Sequence, residues 1–235
     1  MSETQHAPTR RAFLSNGLVL AGALAAPGAV SGAVAAGQRL STADLRPLTP
    51  APVPNASLVP ATPALPRVMR PELLRRAMAA LDRHGSRVKR DRMAVVDFSA
   101  ASAQARFHFV DLASGRTTSL LVSHGSGSDP AHTGYLRRFS NDFGSNASSE
   151  GAFATADYYV GKHGRSQRLI GLDATNSNAL SRALVIHGAW YANKSMLATH
   201  GMLGRSQGCF AVGEGDLEQV FARMGPERMI YATKV

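Results

Sequence analysis

The 235-residue chain holds one cysteine, Cys209, in Ser206-Gln207-Gly208-Cys209. The histidine of Val185-Ile186-His187-Gly188 lies 22 residues upstream. An isolated cysteine is most often an inert, buried small hydrophobe. Placed beside an imidazole it becomes a nucleophile, because the thiolate attacks and an ordinary thiol is only slightly ionised at neutral pH. His187 is the candidate base. Gly208 lets a tight turn aim consecutive backbone N–H groups at a developing oxyanion. Asp173, Asp157 and a backbone carbonyl are all candidates to orient the imidazole. A zinc site is disfavoured, since neither H-E-x-x-H nor a Cys/His ligand spacing occurs among the eight histidines.

These groups need rigid supports. Ala183 to His187 is an apolar run that reads as a strand, and Gly188 after it permits close approach. Met93–Phe98, Arg106–Leu112, Thr117–Ser123, Gly151–Val160, Arg168–Gly171 and Arg228–Thr233 read as further strands, with Ser114-Gly115 turning a hairpin. Pro71 to His84 reads as a helix with Leu73, Leu74, Ala77, Met78 and Leu81 on one stripe, and Asp216 to Met224 as a second. Two Gly/Ser-rich loops, 123–134 and 140–151, are long enough to carry function. Mainly β with short helices is therefore the expected class.

The net charge of +10 first suggests a polyanion partner, nucleic acid being the usual one. The N-terminus argues against nucleic acid. Arg10-Arg11 before Phe13-Leu14, a short apolar run over 17–26 and Ala33-Val34-Ala35 make a twin-arginine-like export signal over residues 1–36. Residues 37–66 hold seven of the twelve prolines and read as a semi-rigid linker. The remaining unit, 67–235, begins with a basic helical stretch, 67–90, which reads as a solvated face. The expected location is the periplasm or cell wall, where the basic surface would meet an anionic cell envelope and a lone cysteine has no disulfide framework.

Several ordered blocks give the chain a closer likeness: Phe139-Ser140-Asn141, Gly144-Ser145-Asn146, Tyr159-Val160-Gly161-Lys162-His163-Gly164, Val185-Ile186-His187-Gly188-Ala189-Trp190-Tyr191 and Leu203-Gly204-Arg205-Ser206-Gln207-Gly208-Cys209. They resemble the L,D-transpeptidase catalytic-domain family (YkuD-like), in particular its murein branch. The resemblance implies a β-sandwich-like mixed sheet, Cys209 as nucleophile, His187 as general base and then acid, the Gly188 carbonyl as the group that orients its ring, and the backbone N–H groups of Gly208 and Cys209 as holders of the oxyanion. It implies no cofactor, peptidoglycan stem peptides as substrate, a thioester intermediate giving 3→3 cross-links or trimming by water, and acylation of Cys209 by carbapenem-type inhibitors. Arg205, Ser206, Tyr191, His124, His163 and Asn141 are the candidate substrate contacts, whereas Trp190 reads as core. The chain departs from the commoner family pattern at Gln207 and Phe210, which keeps a non-catalytic wall-binding module as the alternative.

Overall fold

The structure, a computed structural model, describes residues 69–235. The export signal and linker expected over 1–66 lie outside the described residues. Helix α1 (Pro71–Arg83) precedes eight strands: β1 (Lys89–Asp97), β2 (Phe107–Asp111), β3 (Thr117–Leu120), β4 (Gly151–Gly161), β5 (Gly164–Gly171), β6 (Val185–Gly188), β7 (Phe210–Val212) and β8 (Arg228–Thr233). Helix α2 (Ser195–His200) lies between β6 and β7, and α3 (Leu217–Met224) between β7 and β8. Among the described residues, no helix is long and apolar enough to cross a membrane.

All eight strands belong to one mixed sheet of order β3-β2-β1-β8-β4-β5-β6-β7, parallel at β1·β8 and β6·β7. Its ends meet. The chain leaving β3 runs alongside the far end, where Ser123 N donates to Ala211 O (2.8 Å), Ser206 N to His124 O and Ser126 N to Ser206 O. The sandwich-like character thus comes from one sheet folded back on itself.

β1 shows why both faces are covered. Its run Met93-Ala94-Val95-Val96 alternates between two cores, since side chains of a strand point to opposite faces. Ala94 and Val96 join the inner cluster with Phe98, Phe107, Phe153, Phe210 and Ile186. Met93 and Val95 join Leu73, Ala77, Ala80 and Leu81 of α1. The helix begins at Pro71, whose ring suits the first helical position and which needs no donor there.

The basic stretch is largely neutralised. Six of its seven described cations are ion-paired: Arg70 with Asp97, Arg75 and Arg76 with Glu72, Arg83 with Asp173, Lys89 with Glu227, and Arg90 with Asp82; just beyond it, Arg92 pairs with Asp91. Exposed pairs of this kind each contribute little to stability, about 0–1 kcal/mol. Their effect here is on the surface potential, which this helix does not concentrate into a cationic patch.

Candidate active site

Phe210 fixes the nucleophile's strand. Its ring lies 5.4 Å from Phe153 and 6.2 Å from Phe98, deep in the inner core. Cys209, one residue before the strand, is turned away from Phe210 and lies at the margin of the same apolar cluster. In the parallel β6·β7 ladder, Ile186 pairs with Phe210 and His187 with Ala211. Extending this register places Cys209 beside Val185, on the same face as His187 and two residues along. Phe210 itself has its place in the core and does not line the cleft.

That face opens on a cavity of about 550 Å³. His163, His187, Tyr191, Arg205, Ser206 and Cys209, all expected from the sequence, line it. So do Lys162 and Arg182, to which the sequence attached no role. Its charged lining is entirely basic, with no aspartate or glutamate.

His187 Nδ1 lies 2.9 Å from Gly188 O, and the ring is 1% exposed. A carbonyl only accepts, so Nδ1 carries the proton and Nε2 is left as the free acceptor. Burial lowers the His187 pKa, the Gly188 hydrogen bond opposes that, and His163 and Lys162 add to it. The imidazole rests neutral.

Burial disfavours the charged form of Cys209 as well. Its Sγ–H donates to Ala183 O (3.7 Å) and not to His187. Burial pushes the thiol pKa up, against the pull of Val185 N–H, Lys162 and Arg182. The accepting carbonyl belongs to a residue with φ +54, a conformation that a non-glycine residue adopts rarely.

The turn differs from expectation in one donor. Gly208, at φ +112, gives its N–H to Ser206 Oγ (3.1 Å), while Ser206 Oγ–H donates to Cys209 O (2.7 Å). Ser206 therefore braces the loop, and the Gly208 donor expected at an oxyanion is engaged in this state. A side chain at Gly208 would also place Cβ 2.7 Å from Ala147 O.

Three further expectations are corrected. His124 is not in the cleft: it is 1% exposed, with Nδ1 2.8 Å from Arg106 Nη2 and Nε2 3.4 Å from Asp129 Oδ2. The cavity lining also omits Asn141; its amide bonds Ala174 O, Ser177 Oγ and Asn178 N, tying one loop to the next. Trp190 is 66% exposed, because it opens a short turn beyond the strand and reaches past the core.

Arg182 is the residue that sequence reasoning missed. Its guanidinium donates to Ser140 O, Ser149 Oγ, Ser145 Oγ and Ala147 O, so it clamps the 140–149 loop against the turn that carries Cys209. None of these partners is charged, and its positive charge acts on the sulfur. Arg205 is similarly committed to neutral acceptors, the carbonyls of Asp129 and Pro130. No asparagine- or glycine-type signal marks Arg182 in its segment Leu180-Ser181-Arg182-Ala183.

The L,D-transpeptidase catalytic domain family model matches residues 67–233. The chain belongs to that family. No curated protein matches it. Similar solved structures include L,D-transpeptidase LdtMt1 in complex with imipenem, at 12% identity and TM-score 0.38, over 61% of this chain and 59% of that one. Another is L,D-transpeptidase 3 from Mycobacterium tuberculosis with a faropenem-derived adduct, at 13% and 0.39, over 61% and 60%. A third is the helical cell shape determining protein Pgp2 from Campylobacter jejuni, at 11% and 0.41, over 66% and 53%. The chain spans between 53% and 60% of the length of these three solved structures.

Proposed function

We propose that this protein is an exported L,D-transpeptidase that transfers an acyl group between peptidoglycan stem peptides through a thioester on Cys209. The observation that carries the reading is the joint opening of a thiol and a proton-accepting imidazole onto one cavity with a wholly basic charged lining. A stem peptide ending in a carboxylate suits such a lining.

In this reading a stem tetrapeptide enters and the thiol turns from Ala183 O towards His187. Nε2 takes the thiol proton as Sγ bonds to the carbonyl carbon of the third residue, a diaminopimelate. The oxyanion is met by Cys209 N–H, and by Gly208 N–H once Ser206 releases it. Collapse breaks the C–N bond, and the imidazolium protonates the departing D-alanine amine. A second stem's amine then attacks the thioester, giving a 3→3 cross-link and returning the proton and sulfur to their resting state. Water in place of the amine gives carboxypeptidase action. The signal over 1–36 and the linker over 37–66 would deliver the 67–235 unit to the periplasm or cell wall. β-Lactams of the carbapenem type would acylate the same sulfur, as the imipenem and faropenem-derived complexes of the similar enzymes suggest.

The test is incubation of the protein with disaccharide tetrapeptides and mass analysis of the products. Dimers lacking one D-alanine are expected, with none from Cys209→Ala. Product formation that survives Cys209→Ala, or wall binding with no product from either protein, would overturn the reading; the latter outcome would favour the wall-binding module.

A further inference from the structure

The turn joining β4 and β5 is two residues long, Lys162-His163, closed by the Gly161–Gly164 pair with Gly164 at φ +71. Such a turn is tight, so its side chains are aimed rather than free. His163 projects onto the base: its ring centroid lies 4.3 Å from that of His187, with the planes 22° apart. The backbone of His187 is fixed in the sheet opposite Ser166, and the Nδ1–H bond to Gly188 O fixes the plane of its ring. His163 itself is exposed, and its ring is placed by the tight turn and by this stack.

We propose that His163 is a positioning residue for the base: its ring covers the open face of the His187 imidazole against water and, when itself protonated, opposes a second proton on that ring. The inference rests on His187 being the base. It gives the hairpin tip a role in the reaction beyond contact with the substrate.

Two physical effects combine. Removing water from one face of an imidazole disfavours its charged form, and a like charge at stacking distance disfavours it further. Other groups share the cavity with that ring. Lys162 comes from the hairpin, Arg182 from the loop before β6, Tyr191 from the turn after it, and Arg205 and Cys209 from the motif loop. Glu214 passes Gly188 by its backbone, but its carboxylate is taken by Asn193 Nδ2. Lys162 acts on His187 in the same direction as His163, which alone among the cations stacks on the ring. A base kept free of its proton at lower pH widens the acid limit of the reaction.

The experiment follows His187 directly. Its ring signals are titrated by NMR between about pH 4 and pH 8, the range in which histidines change charge. Wild type, His163→Ala and His163→Phe are compared, alongside the pH dependence of Cys209 alkylation by iodoacetamide. His163→Ala is expected to raise the His187 midpoint by about half a unit or more and to move the acid limb of alkylation with it. His163→Phe returns the cover without the charge and is expected to fall between the two. A midpoint unchanged in His163→Ala overturns the proposal, and so does a His163→Phe protein that titrates like His163→Ala. Both readouts are independent of muropeptide turnover. A shifted midpoint with no cross-linked product would sink the activity and leave this inference standing.

Discussion

Acid should loosen the site from behind, through His124. Arg106 is fully buried and donates to Val122 O, Ala100 O and His124 Nδ1. A guanidinium has only donors, so Nδ1 must be bare and Nε2–H must face Asp129. A second proton would set an imidazolium against a guanidinium inside the protein. Burial, and next Arg106, lower the His124 pKa to about 4, with Asp129 pulling the other way. In the unfolded chain histidine titrates near 6.5, so the unfolded chain takes the proton first. The folded state therefore has its full stability above about pH 6.5 and loses it as pH falls towards 4. At about 1.4 kcal/mol per unit, the total is about 3 kcal/mol, of which about 2 kcal/mol is lost between pH 7.5 and pH 5. Denaturant unfolding at those two pH values, in wild type and in His124→Asn, isolates this share. Asparagine keeps an acceptor for Arg106 and cannot titrate. Other buried histidines with lowered pKa values, His108 and His187, contribute equally to both proteins and cancel. Wild type is expected to lose about 2 kcal/mol more than His124→Asn over the interval. Equal losses would refute the argument.

The remaining predictions concern the turn and its clamp. Gly208→Ala forces a side chain onto φ +112 and against Ala147 O. It should cost about 1–3 kcal/mol in denaturant unfolding and reduce Cys209 alkylation and cross-linking together; an alanine that leaves all three unchanged would contradict the geometry. Arg182→Met removes four hydrogen bonds and the nearest guanidinium to the sulfur. It should destabilise the fold by about 2–4 kcal/mol and raise the pH midpoint of Cys209 alkylation, read by the rate of iodoacetamide labelling against pH.

What the sequence discloses and what it hides divide along a physical line. β8 and the two amphipathic helices are legible because a local period decides them: Arg228–Thr233 is a strand, and Leu73, Ala77 and Leu81 share one helical face. Cys209 and His187 stand out because few residue types can do this chemistry. β7 is three residues long and lies between glycine-rich turns, too short for any period to declare it. Trp190 and His124 were misplaced for opposite reasons. The large apolar side chain sits where the chain has already turned outwards, and the polar one is drawn inwards by a buried cation and a buried carboxylate, which no spacing announces. Arg182 belongs to the same class, and so does the stacking of His163 on the base, although the sequence places His163 in the cleft. Each meets the site through contacts made across long stretches of chain, Arg182 with Ser140 to Ser149 and His163 with His187. The chemistry-bearing atoms are therefore set by local sequence, whereas their protonation is set by residues that only the closed sheet brings near. A test of the nucleophile alone would miss that second layer; the titrations of His124 and His187 address it directly, because a neighbour supplied by the fold shifts a midpoint even where the reacting residues are untouched.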